Sequence, residues 1–301
     1  MNANKSKKIV VLATGGTIAG LASDASKPQN YTAGQVCVAD LLQSVSHDRV
    51  ELMTEQVAQI DSKDMSFAVW QSLLARVAHW LGQDDVQGVV ITHGTDTLEE
   101  TAYFLQIVLQ PTKPVAMTCA MQPANAPNSD GPGNLKDALA WVQLPNATGV
   151  SVVCAGQVHA GNAVQKIHSH QRNPFTSQTV VMPPVALRVP SVAQVMACTY
   201  WPRVELVFNH AGADGRLVRA LMAHDAPQGW VVAGTGNGTL HHDLEAALLD
   251  AQKQGAQVLR ASRCSQGGVQ SRETDVLPHA GGLTAVQSRV ALLMHLLASQ
   301  T

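Results

Sequence analysis

The feature that most constrains this chain is a rhythm: short apolar runs closed by glycine or threonine turns alternate with segments of helical periodicity. Ile9-Val10-Val11-Leu12-Ala13 runs into a glycine turn, the pattern of a strand buried on both faces. Between Met65 and Leu81, the residues Trp70, Leu73, Leu74, Val77 and Leu81 share one helix face. Val89 to Thr92 predicts the next strand and Leu98 to Leu109 the next helix. Val115 to Ala120 then reads as strand, Gly133 to Val142 as helix and Val150 to Ala155 as strand. Such an order specifies a parallel sheet with helices on both faces.

The rhythm breaks around 160–203, a stretch that carries Pro174, Pro183, Pro184, Pro190 and Pro202 and no long periodic segment. It then resumes, with strands over Val204 to Phe208, Trp230 to Ala233 and Val258 to Ala261. Helices are predicted over Arg216 to Ala223, Leu244 to Gln254 and Ser288 to Ala298. The fold class is α/β in two domains: a parallel-sheet N-terminal domain over 1–190, a linker over 191–202 and a smaller α/β C-terminal domain over 203–301. No internal repeat or low-complexity tract interrupts this order.

Composition narrows the partners. With 46% hydrophobic and 14% charged residues the chain is that of a compact globular protein. A net charge of −2 offers neither nucleic acid nor an anionic membrane an electrostatic hold. No apolar run approaches the ~20 residues of a membrane span. The basic residues at the N-terminus run straight into the first strand, which is too short for a signal-peptide core. Cys37, Cys119, Cys154, Cys198 and Cys264 are odd in number and lack a C-x-x-C pair, so neither a disulfide framework nor a zinc site is indicated. A cytoplasmic setting is the expectation, with Cys119 and Cys154 as small core residues.

In open α/β sheets, ligands sit beyond the carboxyl ends of the strands. Those ends hold Thr14-Gly15-Gly16-Thr17, Thr92-His93-Gly94-Thr95-Asp96-Thr97, Cys119-Ala120-Met121-Gln122 and Gly234-Thr235-Gly236-Asn237-Gly238. Turns need glycine but not repeated hydroxyls. The threonines are either helix caps, as Thr97 suits the helix from Leu98, or chemistry. As phosphate cradles, both glycine clusters lack the lysine or the third glycine of the known fingerprints. His168-Ser169-His170 and His241-His242 read as surface histidines, because no carboxylate or cysteine completes a metal set. His93, at a strand end, reads as a satisfied buried histidine. A hydroxyl nucleophile needs an activating partner. No G-x-S-x-G elbow is present, which leaves threonine, with Asp96 beside Thr95 and a solitary Lys166 downstream.

Ala13-Thr14-Gly15-Gly16-Thr17-Ile18-Ala19-Gly20 together with Ile91-Thr92-His93-Gly94-Thr95-Asp96-Thr97-Leu98-Glu99-Glu100-Thr101 resembles the paired signatures of bacterial-type L-asparaginases. Asn30-Tyr31-Thr32, Asp61 to Met65, Ala120-Met121, Asp130-Gly131-Pro132, Gly236-Asn237-Gly238 and Ala261-Ser262-Arg263 follow in the family's order, so the resemblance spans about residues 9 to 295. It implies hydrolysis of L-asparagine to L-aspartate and ammonia without cofactor or metal. Thr17 would be the nucleophile, with Tyr31 helping to take its proton, while Thr95, Lys166 and Asp96 form a second set. Ser62, Thr95 and Asp96 would hold the substrate's α-carboxylate and α-amino groups, and Ala120 would lie against the leaving amide. Asn237 and Glu273 of a neighbouring subunit would complete the pocket in a homotetramer built from two intimate dimers. The same architecture serves glutaminase-asparaginases and the ammonia-supplying subunit of a tRNA-dependent amidotransferase, whose extra N-terminal domain this sequence lacks. From another class, an inactive amino-acid-binding sensor is the alternative.

Overall fold

The computed structural model describes residues 7–43, 50–177 and 185–300. The chain divides into two compact units, 1–177 and 178–301. In the first, β1 (Lys8–Gly15) leads through a short turn to the hairpin strands β2 (Leu21–Ala22) and β3 (Tyr31–Thr32) and to helix α1 (Val38–Gln43). Then come β4 (Glu51–Ile60), α2 (Phe67–Leu81), β5 (Val86–Thr92), α3 (Leu98–Leu109), β6 (Val115–Thr118), α4 (Gly131–Trp141) and β7 (Val150–Cys154). The unit ends in β8 (Gln157–Ala160), β9 (Val164–Lys166) and β10 (Phe175–Ser177).

Six strands form one sheet in the order β4-β1-β5-β6-β7-β8. It is parallel apart from the β7–β8 pair. Alternation along β1 separates its two cores. Ile9, Val11 and Ala13 join Val90, Ala116 and Val153 beneath Leu135, Ala138 and Leu139 of α4. On α2 and α3, the Trp70 and Phe104 rings stack with centroids 4.7 Å apart, and the Trp70 indole N–H donates to Thr101 at 3.0 Å. Phe104 is fully buried, so its truncation to alanine is worth about 3–5 kcal/mol. Helices thus cover both faces, as the rhythm of apolar runs implies. Cys119 and Cys154 are fully buried core residues, and all five cysteines are free thiols.

The second unit holds α5 (Val192–Ala197), β11 (Val204–Phe208), α6 (Arg216–His224), β12 (Gly229–Gly234), α7 (His242–Lys253), β13 (Gln257–Ser262) and α8 (Ala285–Leu297). Its three strands are parallel in the order β11-β12-β13. Val207, Trp230, Val232 and Val258 pack against Leu244, Ala247 and Leu248 of α7. Helix α8 begins at a capping box in which Thr284 and Gln287 satisfy each other's backbone N–H. The expected linker, 191–202, contains α5, which starts at a second capping box between Ser191 and Gln194. Among the described residues, no helix is long and apolar enough to cross a membrane.

Candidate active site

Strand β1 ends at Gly15 and Gly16, both with positive φ, and the chain turns at once into a 3-10 turn over Thr17–Ala19. That turn presents the Thr17 hydroxyl at the carboxyl end of the sheet, 2.7 Å from the phenol oxygen of Tyr31 on β3. Thr17 is 8% exposed and Tyr31 38%, so the nucleophile candidate is sheltered while its partner sits at the rim. The segment from Gly20 to Gly34 is fastened at its base. The Ala124 N–H donates to Gly20 O at 2.8 Å, and the Asn125 amide brackets Ala22, accepting its N–H at 2.9 Å and donating to its carbonyl at 2.8 Å.

The neighbouring loop follows β5. Its Gly94 backs onto Gly16 so closely that a Cβ on Gly16 would lie 2.4 Å from the Gly94 Cα. Beyond Gly94, Thr95 is buried, and its hydroxyl accepts from the Lys166 ammonium at 2.8 Å. The same ammonium donates to Asp96 Oδ1 at 2.6 Å. The lysine side chain is 17% exposed and that of Asp96 54%, so the pair straddles the boundary between protein and solvent. Ser62, on a 3-10 turn after β4 and 3% exposed, accepts the Asp96 backbone N–H at 3.2 Å. Thr97 takes the N-cap position of α3, but its side chain makes no cap bond. Its hydroxyl donates instead to Ser62 O at 2.8 Å, tying the two loops together.

Ala120 follows β6 and is fully buried; beside it the Met121 and Gln122 N–H groups both donate to the Asp130 carboxylate. Thr17, Tyr31, Ser62, Thr95, Asp96, Ala120 and Lys166 all belong to the first unit. Asn237 and Glu273 belong to the second. There the Asn237 side chain donates to Gln270 O at 2.9 Å and accepts the Gln270 N–H at 2.8 Å, so it holds the loop on which the exposed Glu273 lies.

His93 is fully buried, with Nδ1 2.7 Å from Gly94 O and no partner at Nε2 among the described residues. Burial lowers its pKa to about 4. It is half satisfied rather than satisfied, and it stays neutral at neutral pH. The histidine pairs lie at or near the surface, as expected, but one of them has a carboxylate beside it. His168 Nδ1 accepts the His170 and Gln171 N–H groups, a loop cap. His241 and His242 do have a carboxylate beside them: Asp243 completes a group whose ligand atoms lie within 4.8 Å of one another. Asp243 directly follows the pair in sequence, and His241, the N-cap of α7, turns its ring over the helix end to accept the Asp243 N–H.

Glu99, in the first turn of α3, is absent from the sequence-level set of site residues. Burial pushes its carboxyl up to about 7, and Oε2 accepts the backbone N–H of Lys166 at 3.1 Å. An acidic residue in a first helical turn is ordinarily a partner of the helix dipole, so nothing in the sequence marks it out.

A hydroxyl and a separate lysine-bound hydroxyl on adjacent strand-end loops of a mostly parallel sheet can serve nucleophilic hydrolysis. The chain belongs to the asparaginase family. Residues 8–194 match the family model described as Asparaginase, N-terminal, and residues 203–301 match the Glutaminase/Asparaginase C-terminal domain. It is 35% identical to L-asparaginase 2 of Escherichia coli (strain K12) over 96% of this chain and 88% of that one. It is also 33% identical to the glutaminase-asparaginase of Pseudomonas fluorescens biotype A over 90% and 79%. Among solved structures, a probable cytoplasmic L-asparaginase from Campylobacter jejuni superposes with a TM-score of 0.87 at 31% identity, covering 98% of this chain and 96% of that one.

Proposed function

We propose that this protein hydrolyses the side-chain amide of L-asparagine to L-aspartate and ammonia, with Thr17 as nucleophile. One observation carries the reading. Two buried threonine hydroxyls on touching loops have separate proton partners, Tyr31 for Thr17 at 2.7 Å and Lys166 for Thr95 at 2.8 Å. Two such sets suit a double displacement. In the first half, Thr17 Oγ1 adds to the amide carbonyl carbon. Its proton is relayed through the Tyr31 hydroxyl to the departing nitrogen, the C–N bond breaks, and ammonia leaves an ester on Thr17. In the second half, a water adds to that ester as its proton passes to the Thr95 hydroxyl, the Thr95 proton to Lys166 and a Lys166 proton to Asp96. The C–O bond to Thr17 breaks, the hydroxyl regains its proton, and aspartate is released. A lysine set between a hydroxyl and a carboxylate can pass protons in both directions.

The zwitterionic substrate needs both charges met. Asp96 offers its carboxylate to the ammonium, and Ser62 with strand-end N–H groups offers donors to the α-carboxylate. Ala120 lines the amide end. The scheme uses no cofactor. Glutamine, one methylene longer, is the second substrate to consider, because one relative at 33% identity is named for both activities. Ammonia release from asparagine and glutamine, with Thr17→Ala as control, tests the reading. No release from either amide would end it and leave an amino-acid-binding sensor.

For assembly, the proposal is a tetramer of two intimate dimers in which Asn237 and Glu273 of a neighbouring copy close the pocket. Co-refolding Thr17→Ala with Glu273→Ala would then restore about a quarter of wild-type activity, since half the dimers are mixed and half their sites intact. No recovery would place Glu273 in its own chain's site or outside any. Free, scattered cysteines favour a reducing, cytoplasmic setting.

A further inference from the structure

We propose that Glu99 is a positioning residue for the reaction: by accepting the backbone N–H of Lys166, it pins β9 to the first turn of α3 and so sets the ammonium between Thr95 and Asp96. This rests on the role given to Lys166 above and goes one step behind it.

The need for a pin follows from topology. Thr17, Ser62, Thr95, Asp96 and Ala120 lie on loops that follow strands of the six-stranded sheet, and Tyr31 lies on the β2–β3 hairpin, whereas β9, among the described residues, pairs with β10 in a further two-stranded ribbon. In that ribbon Lys166 lies opposite Phe175, and the Ile167 N–H donates to Pro174 O. Residues of an antiparallel ladder alternate between hydrogen-bonded and non-hydrogen-bonded positions. Lys166 therefore occupies a position whose N–H points away from β10. That outward N–H is the one Glu99 Oε2 takes at 3.1 Å. The far end of the ribbon is fastened independently, where Ser177 Oγ lies 2.7 Å from His159 Nδ1 on β8. At the catalytic end, the Glu99 contact bridges directly from the ribbon to the helix whose N-terminal loop carries Thr95 and Asp96.

The chemistry of the carboxyl fits a positioning part. Burial acts on it most strongly, and Lys166 on β9 and Glu100 on its own helix are the charged groups that act on it. Burial raises its pKa to about 7, so near neutrality a large share of it is uncharged. An uncharged carboxyl still accepts through its carbonyl oxygen. Asp96 is then the direct counter-charge of the ammonium, and Glu99 supplies reach and an acceptor.

Reach and charge are separable by substitution. Glu99→Gln keeps the length and an acceptor but no charge; Glu99→Asp keeps the charge but falls one methylene short of the Lys166 N–H. Steady-state kinetics on asparagine are expected to show kcat lowered on the order of 10- to 100-fold in Glu99→Asp with KM little changed, as for a misplaced catalytic group. Glu99→Gln should restore kcat towards wild type. Wild-type kcat in Glu99→Asp, or a loss in Glu99→Gln as large as in Glu99→Asp, would overturn the proposal. Lys166→Met in the same assay keeps the two readings apart: full turnover there removes Lys166 from the mechanism. An inactive Lys166→Met beside an unaffected Glu99→Asp sinks the positioning role alone.

Discussion

Gly16 and Gly94 meet backbone to backbone, with room for a side chain on neither. A Cβ on Gly16 would lie 2.4 Å from the Gly94 Cα and N, and a Cβ on Gly94 would lie 2.4 Å from Ser62 Oγ. Gly16 also has φ +82°, a region that costs an L side chain strain. The contact fixes the Thr17 turn against the Thr95 loop, and therefore fixes the separation of the two hydroxyl sets. Gly16→Ala should lower stability by about 1–3 kcal/mol in urea titration and cut kcat more steeply than its stability loss accounts for. Wild-type kcat in a folded Gly16→Ala protein would mean that the loops can slide without cost to the chemistry.

The two hydroxyl sets should fail differently when one is removed. In the proposed scheme, Thr17→Ala takes away the atom that would form the ester, so no acyl intermediate should accumulate. Thr95→Val leaves the nucleophile but strips the Lys166 ammonium of an acceptor at 2.8 Å. Each is expected to reduce kcat by about 10²–10⁴-fold or more with the fold intact. A slow substrate should still give a rapid ammonia burst in Thr95→Val if the deacylation half is the one damaged. Normal turnover in either variant would take that threonine out of the scheme. Asp96→Asn should weaken aspartate binding at least about tenfold by calorimetry if its carboxylate meets the ligand's ammonium; unchanged affinity would refute that contact.

How much of this was legible beforehand depended on whether a residue's partner lay nearby in sequence. Strands β1, β5, β6 and β7 and helices α2, α3 and α4 announce themselves through local apolar patterns; the strand-end rule leads to the threonine-bearing loops, within which the family resemblance singles out Thr17 and Thr95. Strand β4 does not. Glu51 to Ile60 is an edge strand with polar residues on both faces, several of them exposed, so no apolar run marks it. Strands β8, β9 and β10 are three or four residues long and exist through pairing. Local periodicity carries no trace of a pairing. Thr97 reads as a cap because capping is the local option, yet Ser62 competes for its hydroxyl from 35 positions away. Glu99 is hidden for the same reason, because its partner is 67 positions downstream.

The hairpin that carries Tyr31 is clasped at its base by Asn125, a residue outside the proposed chemistry. Residues 20–34 hold Gly20, Ser23, Ser26, Pro28 and Gly34 and little apolar periodicity, as suits a loop that closes over a ligand. Asn125 clasps Ala22 through both the oxygen and the nitrogen of its side-chain amide. Asn125→Ala should raise the rate of limited proteolysis within 20–34 and raise KM more than it lowers kcat. Saturating aspartate should protect the wild-type loop from the protease. Equal cleavage of wild type with and without aspartate would describe a loop indifferent to ligand.

The pH dependence of stability should carry the mark of His93. Its pKa is about 4 in the folded chain against 6.5 unperturbed, because full burial disfavours the imidazolium. A depressed folded value means that the unfolded chain binds the proton more readily. The neutral histidine's contribution is therefore complete above about 6.5 and is lost progressively as pH falls to about 4. The full swing for such a shift is on the order of 3 kcal/mol. Glu99 acts in the opposite sense. Its value is raised from 4.5 to about 7, so the folded chain holds that proton more tightly and stability falls as pH rises through the same window. The two effects partly cancel in the wild type, which is why the variant difference is the informative quantity. His93→Gln removes the acid-side loss, so urea denaturation at pH 4.5 and pH 7 should show the gap between variant and wild type narrowing, or changing sign, at the lower pH. A gap that is the same at both pH values would mean that His93 is protonated in the folded chain as readily as in the unfolded one.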